Sequence, residues 1–322
     1  MLTKNKYVTL FLIIITITSC KSLKVEVRKE RETVPNTYLG TVSPIQDTIS
    51  SASIKWRDFF TDSYLVALID TALSNNQELN IVLQEIETAR NEIRAKKGEY
   101  LPFLSGYAGA GVDKTARYTR NGALESNIDI EPGKEFPEPL QDYVFGVKAN
   151  WELDVWKKLR NGKKAAVSRF LSTVEGKNFM ITNLVAEIAN SYYELLALDT
   201  QLKNVNQNIE IQSNALVIVK QQKQAAKVTE LAVRRFEAQL HNTKSLRFEI
   251  EQKIIVVENR INFLTGSFPK HIERSKELFI NLTPMVVTQG LPTQLLNNRF
   301  DIKAAELVLE AQKLDVKVAK AK

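Results

Sequence analysis

Eight aliphatic residues recur at intervals of seven: Val167, Val174, Ile181, Ile188, Leu195, Leu202, Ile209 and Leu216. A second row falls three residues later at Phe170, Leu184, Leu198, Val205 and Val219, interrupted by Lys177, Ser191 and Gln212. A seven-residue apolar repeat holds helices side by side in supercoiled packing. Between Gly176 and Gly266 there is neither Gly nor Pro to break a helix. The pattern predicts one helix over residues 155–225, roughly 105 Å long. No compact domain of this size holds such a helix. The row breaks at Lys223, and Thr229 can cap a second helix. Phe236, Leu240, Ile250, Ile254, Val257, Ile261 and Leu264 restore the apolar spacing, and Gly266 ends it. Two long helices thus form a hairpin with its tip at residues 225–229.

Residues 64–97 also carry helical spacing, through Leu65, Leu68, Ile69 and Ala72 and then Leu79, Val82, Leu83 and Ile86. Asn75-Asn76 marks a joint between a short helix and a longer one, which Leu101-Pro102 ends. The period then changes to two. In residues 143–153, Tyr143, Phe145, Val147, Ala149, Trp151 and Leu153 fall on one face, and Val144, Gly146, Lys148, Asn150 and Glu152 on the other. Eleven alternating residues with aromatic side chains towards both ends fit a transmembrane barrel strand. An antiparallel strand over a soluble core alternates in the same way. On the membrane reading, Lys148, Asn150 and Glu152 face the lumen while Tyr143, Phe145, Val147 and Trp151 face lipid. The partner is the glycine-rich segment 101–113. The connection, residues 114–140, is long and polar, as outer-membrane barrels have on their external side. One strand pair cannot close a barrel, and open edges are not tolerated in lipid, so other strands or subunits must complete it.

The chain begins MLTKNKYVTLFLIIITITSC. Two lysines precede a short apolar core, as in a signal peptide over residues 1–19. Ile17-Thr18-Ser19-Cys20 resembles the lipobox of bacterial lipoproteins, in which the cysteine is alkylated with diacylglycerol. Each buried methylene of such chains contributes about 0.8 kcal/mol to anchoring. Cys20 is therefore the expected lipidation site. Lys21 and Ser22 follow it, with no Asp of the kind that retains lipoproteins in the inner membrane. The outer membrane is the expected location, and the polar residues 20–55 read as a lipid-anchored linker.

The net charge is +7, but the basic residues are interspersed with acids along helix faces. That pattern describes solvated helices and predicts no nucleic-acid partner. One cysteine and two histidines, His241 and His271, exclude an internal disulfide and a Cys/His metal cluster. No acid, base or nucleophile cluster converges, so the expectation is no enzyme, no cofactor and no metal site.

Residues 73–79 align with residues 296–302 at an offset of 223. The match continues with Ile86 and Leu309, Glu87 and Glu310, Ile93 and Val316, and Lys97 and Lys320. The first copy leads into Pro102 and the strand pair, whereas the second stops in mid-helix at Lys322. The expectation is one domain over residues 56–322, with a first structural repeat at 56–280, the start of a second at 291–322, and the remainder missing. The fold class expected is an α+β membrane protein, mostly α.

Several motifs together resemble the TolC-like outer-membrane factors of tripartite efflux pumps, in their lipidated NodT-type branch. They are Trp56-Arg57-Asp58-Phe59-Phe60, Ala72-Leu73-Ser74-Asn75-Asn76-Gln77-Glu78-Leu79, Tyr100-Leu101-Pro102 and Trp151-Glu152-Leu153-Asp154-Val155-Trp156. Thr229-Glu230-Leu231, Leu264-Thr265-Gly266 and Asn298-Arg299-Phe300-Asp301-Ile302 complete the set. The resemblance implies a homotrimer in which each subunit gives four strands to a twelve-stranded barrel. Its helices would line a periplasmic α-barrel. It further implies a periplasmic adaptor docked on the hairpin tip, at Ala226, Lys227, Val228 and Thr229, and an inner-membrane transporter of the RND type. The conduit would be passive and its cargo small molecules or metal ions. Polypeptide export by a type I system is the alternative cargo reading, and a structural coiled-coil lipoprotein the alternative class. Two positions depart from the family: Phe300 stands where Pro is usual, and Ala226 where Gly is usual at the tip.

Overall fold

The computed structural model describes residue 51, residues 54–275 and residues 292–322. The expected signal peptide, Cys20, most of the linker and residues 276–291 lie outside the described residues. In chain order the elements are α1 (Trp56–Phe59), α2 (Ser63–Asn75), α3 (Gln77–Glu99), β1 (Phe103–Asp113), α4 (Arg120–Glu125), β2 (Asp129–Glu131) and β3 (Lys134–Glu135). They continue with β4 (Leu140–Asn150), α5 (Lys158–Gln224), α6 (Glu230–Leu264), α7 (Pro292–Asn298) and α8 (Phe300–Lys320). The described residues fall into two compact units. One is built from residues up to 90 and residues 167–312, the other from residues 91–166 and 313–322.

The heptad row behaves as its spacing demands. Helix α5 runs unbroken for 67 residues, about 100 Å at the rise of an α-helix. Every member of the first apolar row is buried or half-buried, and Ile188 and Leu195 are wholly buried. Two clusters cover the seam. Leu184, Val185, Ile188, Ala189, Tyr192 and Leu196 pack with Leu65, Ile69 and Ala72 of α2 and with Leu264. Further along, Leu195, Leu198 and Val205 pack with Ile250, Val257 and Ile261 of α6 and with Ile272. A polar break in the second row is matched across the hairpin, where Thr243 Oγ1 donates to Gln212 Oε1 at 2.9 Å.

Helix α2 is held at its start by Asp62. One carboxylate oxygen accepts the N–H of Tyr64 at 2.8 Å, and the other accepts the Tyr192 hydroxyl at 2.7 Å. Burial, and the Asp62 carboxylate beside it, push the Tyr192 phenol above its ordinary range, so it stays a donor. The joint predicted at Asn75-Asn76 is real, and Asn76 makes it. Its side-chain oxygen accepts the N–H of Leu79 at 2.9 Å, capping α3. Its amide nitrogen donates to the Leu264 carbonyl at 2.9 Å, at the end of α6. A single buried amide therefore serves two helix termini. The break between α7 and α8, at Arg299, falls at the same offset that aligns the two segments.

Candidate functional site

Strands β1 and β4 pair antiparallel over their whole length, from Phe103 opposite Asn150 to Asp113 opposite Leu140. The observed β4 lies three residues earlier than the alternation predicts. Leu140, Gln141 and Asp142 belong to it because they match the far end of β1, while Trp151, Glu152 and Leu153 do not. Local chemistry draws these three away from the ladder. The Trp151 indole N–H donates to the Tyr100 carbonyl at 3.1 Å. Glu152 forms an ion pair with Lys158, and the Val155 N–H closes a tight turn on the Leu153 carbonyl at 2.7 Å. Glu152 and Trp151 are thus not strand residues, and neither belongs to a face of the sheet.

The register gives the remaining positions a sharper meaning than β4 alone could. Residues opposite each other in an antiparallel pair share a face. Tyr143, Phe145, Val147 and Ala149 therefore lie with Ala110, Ala108, Gly106 and Leu104. Bulky residues of β4 meet small residues of β1, and the resulting face is apolar apart from Gln141. Lys148 and Asn150 lie on the other face, beside Ser105 and Phe103. There the Tyr107 ring crosses Gly146 so closely that a Cβ at 146 would sit 2.7 Å from the Tyr107 hydroxyl. Phe145 and Val147 are 88% and 77% exposed. A two-stranded pair with bare faces and open edges is not stable alone in water.

Beyond β4 the chain enters α5 through a buried carboxylate. Asp154, with a side chain only 1% exposed, accepts the backbone N–H of Leu159 at 3.0 Å and of Arg160 at 2.9 Å. Removal from water raises its pKa, but these N–H groups and the Arg160 charge outweigh that and hold it below the usual carboxylate range. The Arg160 guanidinium reaches back to Tyr100, stacking 5.1 Å over its ring and donating to its hydroxyl at 2.9 Å.

At the other end of α5 is the hairpin tip. The Ala226 N–H donates to the Lys223 carbonyl at 2.8 Å and the Lys227 N–H to the Gln222 carbonyl at 2.9 Å. These two bonds define a Schellman motif, whose C′ residue adopts the left-handed conformation. That residue is Ala226, at φ 59°. The conformation costs an L-residue roughly 1–2 kcal/mol, and nothing crowds this exposed position. Ala226→Gly is accordingly expected to stabilise the hairpin by about 1 kcal/mol, measured by hydrogen exchange of residues 215–235. Thr229 occupies the N-cap position of α6, but its hydroxyl makes no capping bond. Ion pairs close the tip instead. Glu230 pairs with Lys223 and with Arg234, and Glu237 with Lys220 and Arg234. Hydrogen bonds from Lys223 and Lys220 lower the pKa of Glu230 and Glu237 respectively. Their contribution is present above the ordinary carboxylate range and is lost as pH falls through the lowered values. Ala226, Lys227 and Thr229 are exposed and Val228 is half-buried.

No signal in the sequence pointed to a third cluster, placed where the chain leaves α6. Arg274 donates to both oxygens of Asp199 in α5, to Glu258 in α6 at 2.6 Å, and to the Ile272 carbonyl at 2.8 Å. His271 approaches the same Glu258 carboxylate at 2.8 Å, and His241 is an exposed residue of α6. Among the described residues no group of His, Cys, Asp and Glu is arranged to hold a metal ion. No helix among them is long and apolar enough to cross a membrane.

Proteins similar to this chain carry names from outer-membrane and efflux systems. The solvent efflux pump outer membrane protein SrpC of Pseudomonas putida is 26% identical over 277 residues, covering 86% of this chain and 56% of its own. The probable outer membrane lipoprotein SilC of Salmonella typhimurium is 23% identical over 309 residues, 96% of this chain and 63% of its own. The cation efflux system protein CusC of Escherichia coli K12 is 23% identical over 312 residues, 97% of this chain and 64% of its own. A solved CusC structure superposes with a TM-score of 0.74 at 22% identity, over 93% of this chain and 64% of that one. The chain thus spans 56–64% of the length of these relatives. The sequence model of the family described as outer membrane efflux protein matches residues 68–267. That match takes in most of α2, the strand pair, the whole heptad hairpin and its closing Gly266, and by it the chain belongs to the outer membrane efflux protein family.

Proposed function

We propose that this chain forms part of the outer-membrane channel of a tripartite efflux system, acting as a passive conduit. The observation that carries the reading is the β1–β4 pair: one apolar face, one face with Lys148 and Asn150, and two open edges. Such a pair needs lipid on one side and further strands at both edges. A homotrimer meets the second need, since each subunit then contributes to one closed barrel. Tyr143, Phe145 and Val147 face lipid, and Lys148 and Asn150 face the lumen. Trp151 sits at the membrane boundary just past the strand. The lipobox-like Ile17-Thr18-Ser19-Cys20 supports lipidation at Cys20, and the name of SilC includes lipoprotein.

The hairpin tip at Ala226, Lys227, Val228 and Thr229 docks a periplasmic adaptor. That adaptor links the channel to an inner-membrane transporter of the RND type, which supplies the energy. Cysteines placed at 226–229 should crosslink to the adaptor in cells, and crosslinks confined to residues 114–140 would defeat this assignment. Solvents and cations, named for SrpC and CusC, support small molecules or metal ions as the cargo class.

A strain lacking the gene should become sensitive to members of a panel of solvents, drugs and metal salts, and the wild-type gene should restore growth. Val147→Arg places a charge on the lipid face and costs about 2–4 kcal/mol near the bilayer midplane. It should abolish both outer-membrane trimer and rescue. Lys148→Arg, on the opposite face, should leave both intact. Equal behaviour of the two variants would exclude the assignment of faces.

A further inference from the structure

At one end of the strand pair, where β1 begins and β4 finishes, the chain forms a junction from residues 91–102 and 151–166. Its charge is opposite to that of the other end. These two segments carry eight basic and four acidic side chains, whereas residues 113–142 carry four basic and seven acidic. The chain itself uses three of the four acids, Glu99 on Lys96, Glu152 on Lys158 and Asp154 on the start of α5. Lys157, Lys163 and Lys164 have no carboxylate partner among the described residues. Next to them Trp151, Leu153, Val155 and Trp156 stand open, Trp156 at 74% exposure.

A loop surrounded only by water has no use for four large apolar side chains in six residues. A protein partner of acidic character would satisfy the lysines but not explain why the apolar residues follow directly on a strand with a lipid-type face. A bilayer boundary explains both. Tryptophan settles at the level of lipid headgroups, and lysine near the surface is drawn to anionic ones. The N–H groups at the start of α5 are already taken by Asp154, so the ammonium groups, not the helix terminus, carry the recognition. Tyr100 ties the two segments of the junction together, accepting from Trp151 at its carbonyl and from Arg160 at its hydroxyl.

We propose that this junction binds anionic phospholipid headgroups. Lys157, Lys163 and Lys164 engage the phosphates, and Trp156 and Leu153 enter the boundary between headgroup and acyl chain. The proposal rests on the reading of β1 and β4 as bilayer-spanning strands. It makes the channel's membrane depth depend on lipid charge.

The three tryptophans are Trp56, Trp151 and Trp156, so Trp56→Phe leaves emission from the junction alone. The chain with this change is reconstituted in vesicles containing, at equal mole fraction, either phosphatidylglycerol or phosphatidylcholine brominated on the acyl chains. Brominated phosphatidylglycerol should quench the emission more strongly. Adding Lys157→Gln, Lys163→Gln and Lys164→Gln should remove the preference, each lysine accounting for about fivefold in relative association. Equal quenching by the two lipids would overturn the proposal and leave the membrane reading standing. A preference that survives the triple substitution would also overturn it. Quenching by neither lipid would overturn the proposal together with the membrane reading.

Discussion

Arg274→Ala is expected to destabilise the α5–α6 hairpin by about 3–5 kcal/mol, the cost of removing one partner from a buried ion pair. The Arg274 side chain is 11% exposed and Glu258 13%, so neither charge has much water to fall back on. Asp199 is 36% exposed, which places the loss towards the lower end of that range. The guanidinium binds Asp199 in bidentate fashion and spans to Glu258, so it ties α5 to α6 where their apolar seam ends. Alanine leaves two carboxylates without the guanidinium, and the His271 ring that remains beside Glu258 is 72% exposed. Arg274→Lys should recover only part of the loss, because one ammonium cannot reproduce the planar fork. Denaturant unfolding at pH 7 of the alanine and lysine variants, followed by hydrogen exchange near Asp199 and Glu258, measures both losses. A loss below 1 kcal/mol at pH 7 would show that the cluster is solvated in solution.

The seam of the hairpin was legible because seven-residue spacing is a one-dimensional signal: Val167 to Leu216 needs no partner to be read. The joint at Asn76 was legible in place but not in chemistry. Its role depends on the Leu264 carbonyl, 188 residues away, and no local pattern encodes that meeting. The strand was legible in period but misplaced by three residues. Its ends are set by the length of β1 and by the Trp151 bond to Tyr100, 51 residues upstream. The apolar character of the β1 face was hidden for the same reason. Gly106, Ala108 and Ala110 look featureless until the register sets them opposite Val147, Phe145 and Tyr143. Arg274 was not legible at all: its partners lie 75 and 16 residues away, and it stands in a stretch with no period. Of the family's two departures, Ala226 now has a physical meaning as a left-handed residue that is not glycine.

Gly266→Ala is expected to cost about 2–4 kcal/mol, combining the left-handed penalty with the strain of overpacking. Gly266 stands at φ 64° and closes α6 with a second Schellman motif. Its own N–H donates to Phe263 and that of Ser267 to Asn262, at 3.0 and 2.8 Å. Backbone conformation alone would make this substitution the mirror of Ala226→Gly at the tip, where the same motif ends α5. The surroundings differ. At Ala226 the methyl group points into open solvent, whereas a Cβ on Gly266 would lie 2.5 Å from the Asn75 carbonyl oxygen and 3.2 Å from its carbon. Those are backbone atoms at the end of α2, and the neighbouring Asn76 is already committed to the Leu264 carbonyl. Neither can retreat without opening the junction that caps α3 and α6 together. The cost of Gly266→Ala should therefore exceed the gain from Ala226→Gly by at least about 1 kcal/mol, the smallest ordinary overpacking strain. Both are measured on the same protein by hydrogen exchange, read over residues 75–82 and 258–264 for the first and 215–235 for the second. Equal magnitudes would mean that Asn75 does not press on Gly266, and that the α2–α3 joint is not held by the end of α6. A larger cost, with exchange rising at Leu79 as well as Leu264, would establish that one glycine lets three helices meet.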